Sequence, residues 1–178
     1  VVSGSPVVPA ALPVIPAAAS AESTYGRTFL KLSEPAGYFP SENVVSNETS
    51  YLHVLDAMRR IGVTGGAYIG VGPDQNFSYI AAVKPDVALM FDIRRDAMIE
   101  HQLFKAGFAM SRNRLEYLCV LLAKPVPADI DAWRHRSIAD IVNYIDATPA
   151  SVEFAKSSEL EIEDRARRFG IPLTDNDI

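Results

Sequence analysis

The chain has 178 residues, 48% of them apolar and 22% charged, a composition that buries one substantial core in an ordinary soluble domain. Its 17 basic and 22 acidic residues leave a net charge of -5, so no global field draws in a polyanion and a nucleic-acid partner is not expected. The one cysteine, Cys119, excludes an internal disulfide framework and a cysteine-rich metal site. It lies in the apolar run Leu118 to Leu122, reads as a buried thiol, and inclines the expected compartment to the cytoplasm.

Residues 1–21 carry no charge, and Pro6, Pro9, Pro13 and Pro16 prevent a regular helix, so this stretch reads as an extended or disordered arm. No apolar run is long enough to span a membrane. The chain does not open on methionine, which leaves removal of an upstream targeting segment open as a second reading. Residues 22–47 form an N-terminal extension in which the apolar cluster Tyr25 to Leu32 precedes Pro35, Gly37 and Pro40; this segment is expected to pack over the domain and not to found it.

The domain itself is placed at 48–178. Asn47 is suited to cap a helix with Leu52, Leu55, Met58 and Ile61 on its inner face and Gly62 at its end, and Glu48 belongs to the same capping turn. Ala67 to Val71 then reads as a buried strand. Pro73 suits the first turn of a helix with Phe77, Ile80 and Ala81 inside, and Lys84-Pro85-Asp86 stops it. Val87 to Phe91 is the best strand candidate, apolar on both faces as a parallel sheet requires.

Helical patterns follow at 96–110, 112–123, 132–147 and 151–169. Two strands alone leave much open edge. Either 115–122 is a further strand misread as helix, or more sheet lies beyond Ile178; the capping pattern from Thr174 onward favours an incomplete chain.

The glycine turn between the strands concentrates the chemistry. Gly70 and Gly72 let the backbone turn sharply and approach a ligand, while the amides opening the next helix face a carboxylate or phosphate. Asp92, twenty positions past Gly72, falls at the end of the second strand, where an acid accepts hydrogen bonds from ribose hydroxyls. Asp74 reads first as a first-turn helix acid. Gln75 replaces the third glycine of the dinucleotide fingerprint and argues against a dehydrogenase, and no Gly-Lys-Ser/Thr follows to make a phosphate loop.

The run from Gly66 to Phe77, with Ala88 to Asp96 after it, resembles the first two motifs of class I S-adenosylmethionine-dependent methyltransferases. The stretch from Phe39 to Asn113 is also similar to a poorly characterised bacterial methyltransferase-like family that shares Ser46-Asn47-Glu48 and Gly70 to Asn76. The resemblance implies an α/β fold, a Rossmann-like three-layer sandwich only partly contained in this chain, with S-adenosylmethionine as cofactor. By the same resemblance Gly70 and Gly72 cradle the methionine portion, Asp92 holds the ribose and Ile93 lies near the adenine; Asp74 completes the cofactor-binding set. Tyr68 stands where many such enzymes carry an acid, and Pro73-Asp74 replaces the commoner small residue and glycine.

The implied activity is methyl transfer to an unknown small-molecule or macromolecular acceptor, and no catalytic residue is assigned. A non-catalytic nucleoside-binding or scaffolding domain is the alternative. Among the remaining polar groups, Arg94 and Arg95 fit a solvated helix start or an anion site, with Arg95 in reach of Asp92. Gln75, Asn76 and Tyr79 are candidates to face the pocket, the last two sharing a helical face. His53, His101 and His135 have no metal-ligand spacing, so no metal site is expected; His101 is read as packing first and pocket-facing second. Trp133 is expected to be a buried anchor, and the charges from Glu153 to Arg168 the solvated side of a helix.

Overall fold

A computed structural model describes residues 24–41, 43–44, 49–72, 74–174 and 177. The expectations for residues 1–21, for the Asn47 cap with Glu48, and for Pro73 fall outside these described residues. Among the described residues, seven α-helices and two strands follow in the order α1 (Thr24–Leu32), α2 (Val54–Arg60), β1 (Ala67–Val71), α3 (Gln75–Val83), β2 (Val87–Phe91), α4 (Arg95–Met110), α5 (Arg114–Leu121), α6 (Ile138–Ala147) and α7 (Val152–Arg168). Short 3-10 segments at Thr49–His53 and Ile130–His135 precede α2 and α6.

The strands pair in parallel, Ala67 opposite Val87 through Val71 opposite Phe91. The connection is α3, which ends where Lys84 takes a left-handed φ of 52° and Pro85 blocks further helix. Both predicted strands thus have their expected limits. The segment 115–122 is no strand: Asn113 accepts hydrogen bonds from the Leu115 and Glu116 amides at 3.1 and 3.2 Å and commits the chain to α5.

Two further expectations are corrected. Side chains alternate along each strand, so Ala67, Ile69 and Val71 share a face with Val87, Leu89 and Phe91. This face is largely open, with Ile69 68% and Val71 70% exposed, instead of covered on both sides. The inner face proposed for the helix before β1 is not buried either: α2 has no buried residue and Ile61 is exposed.

Helices do most of the core building. Leu115, Cys119, Ile130 and Ile141 form a buried cluster against which Trp133 and Tyr144 pack, their rings edge to face at 5.1 Å. Trp133 is therefore an anchor, but a partly buried one where the sequence suggested burial. Ser137 and Asp140 form a capping box at the start of α6. Helix α7 packs on α4 through its inner side and laces its outer side with the pairs Glu161–Arg165, Glu163–Arg167 and Asp164–Arg168. Within the N-terminal extension, α1 packs against α4 and the end of α7. A Cβ on Gly26 would lie 2.6 Å from the Gly170 carbonyl oxygen, so glycine lets α1 rest on the end of α7, and Lys105 sits over the Tyr25 ring at 4.4 Å.

Candidate functional site

The glycine turn leaves β1 beside the end of β2, where the Gly72 amide donates to the Phe91 carbonyl at 3.1 Å. Its two glycines serve different needs. Gly72 has φ +83°, a conformation that favours glycine, and the nearest atom to a Cβ built there is Gln75 Nε2 at 3.5 Å. Gly70 is buried and has no such φ; its hydrogen makes room for neighbours. A Cβ at 70 would collide with Asn76 Oδ1 and lie 2.7 Å from Tyr68 Cε1.

Asn76 is only 2% exposed and fills the space under the turn. Its Nδ2 donates to the carbonyls of Val71 and Gly72 at 3.2 and 3.0 Å, and its Oδ1 accepts the Tyr68 hydroxyl proton at 2.6 Å. Burial, with a smaller contribution from Tyr79, raises the Tyr68 phenol above its ordinary value. Tyr68 is thus a neutral donor to the chain's own amide. The Gly70 cradle is filled by Asn76 and Tyr68, and does not fit the role of holding the methionine portion of a cofactor. Tyr79, expected beside Asn76, points its hydroxyl to the Tyr51 carbonyl at 2.9 Å.

His101 is 4% exposed, and its Nε2 lies 3.0 Å from the Gly72 carbonyl oxygen. The carbonyl can only accept, so Nε2 carries the proton in this contact. His101 Nδ1 is buried with no hydrogen-bond partner among the described residues. Phe77 and Phe104 pack edge to face against the ring at 5.8 and 6.3 Å. His101 is therefore both core packing and a support of the turn. The described residues contain no group of three or more His, Cys, Asp or Glu able to hold a metal.

Asp92 ends up partly buried just past β2. One carboxylate oxygen accepts the Arg94 amide at 2.8 Å and shapes the entry into α4; the other has no hydrogen bond among the described residues. Asp92, Gly72 and Ile93 are brought to one end of the sheet, whereas Asp74 stands at the N-cap of α3 without a side-chain capping bond. The suggested Arg95–Asp92 pair is replaced by two others: Arg94 pairs with Asp96, and Arg95 with Asp177 at 2.8 Å. The Arg95 guanidinium pulls the Asp177 carboxyl down to about 2.

Sequence reasoning missed Glu100. One of its oxygens is buried without a hydrogen-bond partner among the described residues, and burial, with Asp74 and Asp96 nearby, raises its carboxyl above the ordinary range. Glu100 lines a cavity of about 510 Å³ along α4 with Val44, Asp96, Ile99 and Leu103. None of Gly70, Gly72, Asp92 or Ile93 lines it. A period-3.6 pattern marks Ile99 and Leu103 as one helical face, but nothing local marks Glu100 as different from a solvated acid.

The arrangement defines a parallel β-α-β unit with an open glycine turn and a carboxylate at its carboxyl end. A family model described as a domain of unknown function (DUF7790) matches residues 43–133, just over half the chain and the whole of this unit, and the chain belongs to that family. No curated protein and no solved structure matches the chain.

Proposed function

We propose that the β1–α3–β2 unit binds a nucleoside, with S-adenosylmethionine as the first candidate. The observation that carries the reading is the Gly72–Phe91 hydrogen bond, because it sets the open side of the glycine turn next to Asp92, whose second oxygen is available to ribose hydroxyls. Gly72 and Asp92 fit such a ligand, Ile93 offers an apolar contact for its base, and Gly70 serves only to seat Asn76. The resemblance to methyltransferases extends the proposal to methyl transfer, which needs a donor and an acceptor held close and in line. On this reading the unit is one part of a Rossmann-like three-layer sandwich.

A second reading, a scaffolding domain, is favoured by the filling of the Gly70 cradle by Asn76 and Tyr68. Calorimetric titration with S-adenosylmethionine and S-adenosylhomocysteine separates the two. Nucleoside binding predicts saturable heats with at least one of them, and a loss of about tenfold or more in Asp92→Ala, the scale of losing hydrogen bonds to a charged acceptor. Absence of heat and of thermal stabilisation with both compounds leaves the scaffold reading.

A further inference from the structure

Between α1 and α2, residues 37–41 and 43 lie at the carboxyl end of β2 and are fastened there twice. The Gly37 amide donates to the Ile93 carbonyl at 2.8 Å, and a Cβ on Gly37 would stand 2.6 Å from Ile93 Cγ1, so glycine allows the backbone to lie directly on that side chain. Beyond it, the Arg94 guanidinium, with a side chain only 13% exposed, donates to the carbonyls of Ser41 and Asn43. The Ser41 amide closes back onto the Phe39 carbonyl at 2.9 Å. Tyr38 and Phe39 therefore sit between two anchors, and both anchors are residues that immediately follow Asp92.

These two aromatic residues remain in solvent, Tyr38 at 86% and Phe39 at 53% exposure. Hydrophobic burial of the rings does not explain why the backbone around them is fastened at both ends. The segment that carries them is bonded to Ile93 and Arg94, the two residues after Asp92, and an exposed aromatic face there can stack on a planar heterocycle.

We infer that Tyr38 and Phe39 form the stacking subsite for the base of a purine nucleoside whose ribose is held by Asp92. The inference rests on the nucleoside reading and adds to it the residues that recognise the base. A purine is the class named because its two fused rings give the larger stacking face, and because the base is bonded directly to the sugar that Asp92 receives.

The test is titration of the full chain with adenosine, uridine and S-adenosylhomocysteine, comparing wild type, the double variant Tyr38→Ala/Phe39→Ala, the conservative variant Tyr38→Phe, and Asp92→Ala. Both aromatic positions are solvent-facing, and circular dichroism verifies that each variant is folded. Adenosine and S-adenosylhomocysteine are expected to bind wild type more tightly than uridine, to lose about tenfold in the double alanine variant, and to keep their affinity in Tyr38→Phe. Wild-type affinity in the double alanine variant, with loss in Asp92→Ala, overturns the stacking subsite and leaves the ribose site standing. Failure of wild type to bind any of the three compounds overturns both.

Discussion

Replacing Gly70 by alanine would drive a methyl group into Asn76 Oδ1 and to 2.7 Å from Tyr68 Cε1, in a buried position packed against the buried Asn76. Overpacking of this kind costs about 1–3 kcal/mol. Asn76→Ala removes the opposing amide instead. It strips a partner from the Tyr68 hydroxyl and the Val71 carbonyl, while the Gly72 carbonyl keeps its contact with His101. With Tyr68 only partly buried, a loss of about 2–3 kcal/mol is expected. In the double variant the added methyl group enters space vacated by the amide, and of its three nearest atoms only Tyr68 Cε1 remains. The combined loss should then fall short of the sum of the single losses by about 1–2 kcal/mol. Urea unfolding of the four proteins followed by circular dichroism measures this coupling, provided the slopes agree. Additivity within about 0.5 kcal/mol would refute the argument that glycine stands at 70 to seat the asparagine.

Two pH dependences follow from opposite shifts. Asp177 has its folded pKa lowered to about 2, so its contribution is present above the unfolded carboxylate pKa and disappears as pH falls from about 4 toward 2. Because Arg95 is 42% exposed, Asp177→Asn should cost only up to about 1 kcal/mol at pH 7, and the gap to wild type in urea midpoint should narrow between pH 5 and pH 3. Glu100 has the reverse sign: its folded pKa is raised, so ionisation opposes folding once pH exceeds the ordinary carboxylate range. Glu100→Gln should equal or exceed wild type in thermal midpoint at pH 7 and lose that advantage at pH 4; a lower midpoint at pH 7 would contradict the burial argument.

The parts of the fold with strong local chemistry were legible in the sequence. Val87 to Phe91 is an uninterrupted apolar run ended by Asp92, and Lys84-Pro85 stops α3 by backbone geometry that no tertiary contact needs to supply. Twofold alternation could not tell that the face bearing Ile69 and Val71 stays open, because burial depends on what packs against it. The same limit explains the arginines: Arg95 lies three positions from Asp92 in the chain, yet its partner, Asp177, is 82 positions away.

Legibility of the site followed the same division. Gly72 and Asp92 were recognisable because a positive φ and a strand-end acid have local signatures. Gly70 was recognised as a glycine but its purpose was not, since the atoms that exclude a side chain there come from Asn76 on α3. Pro35, Gly37 and Pro40 announced a turn-rich extension over the domain, but the fastening of Gly37 to Ile93 joins positions 56 residues apart and leaves no periodic trace.

The seating of Asn76 against Gly70 also restricts how this sequence can diverge. A side chain gained at 70 is tolerable only after the amide at 76 has been shortened, and a shortened residue at 76 strands the hydroxyl of Tyr68. Positions 68, 70 and 76 therefore form an evolutionary unit: related chains should keep all three or exchange them together, with phenylalanine at 68 the natural companion of a small apolar residue at 76.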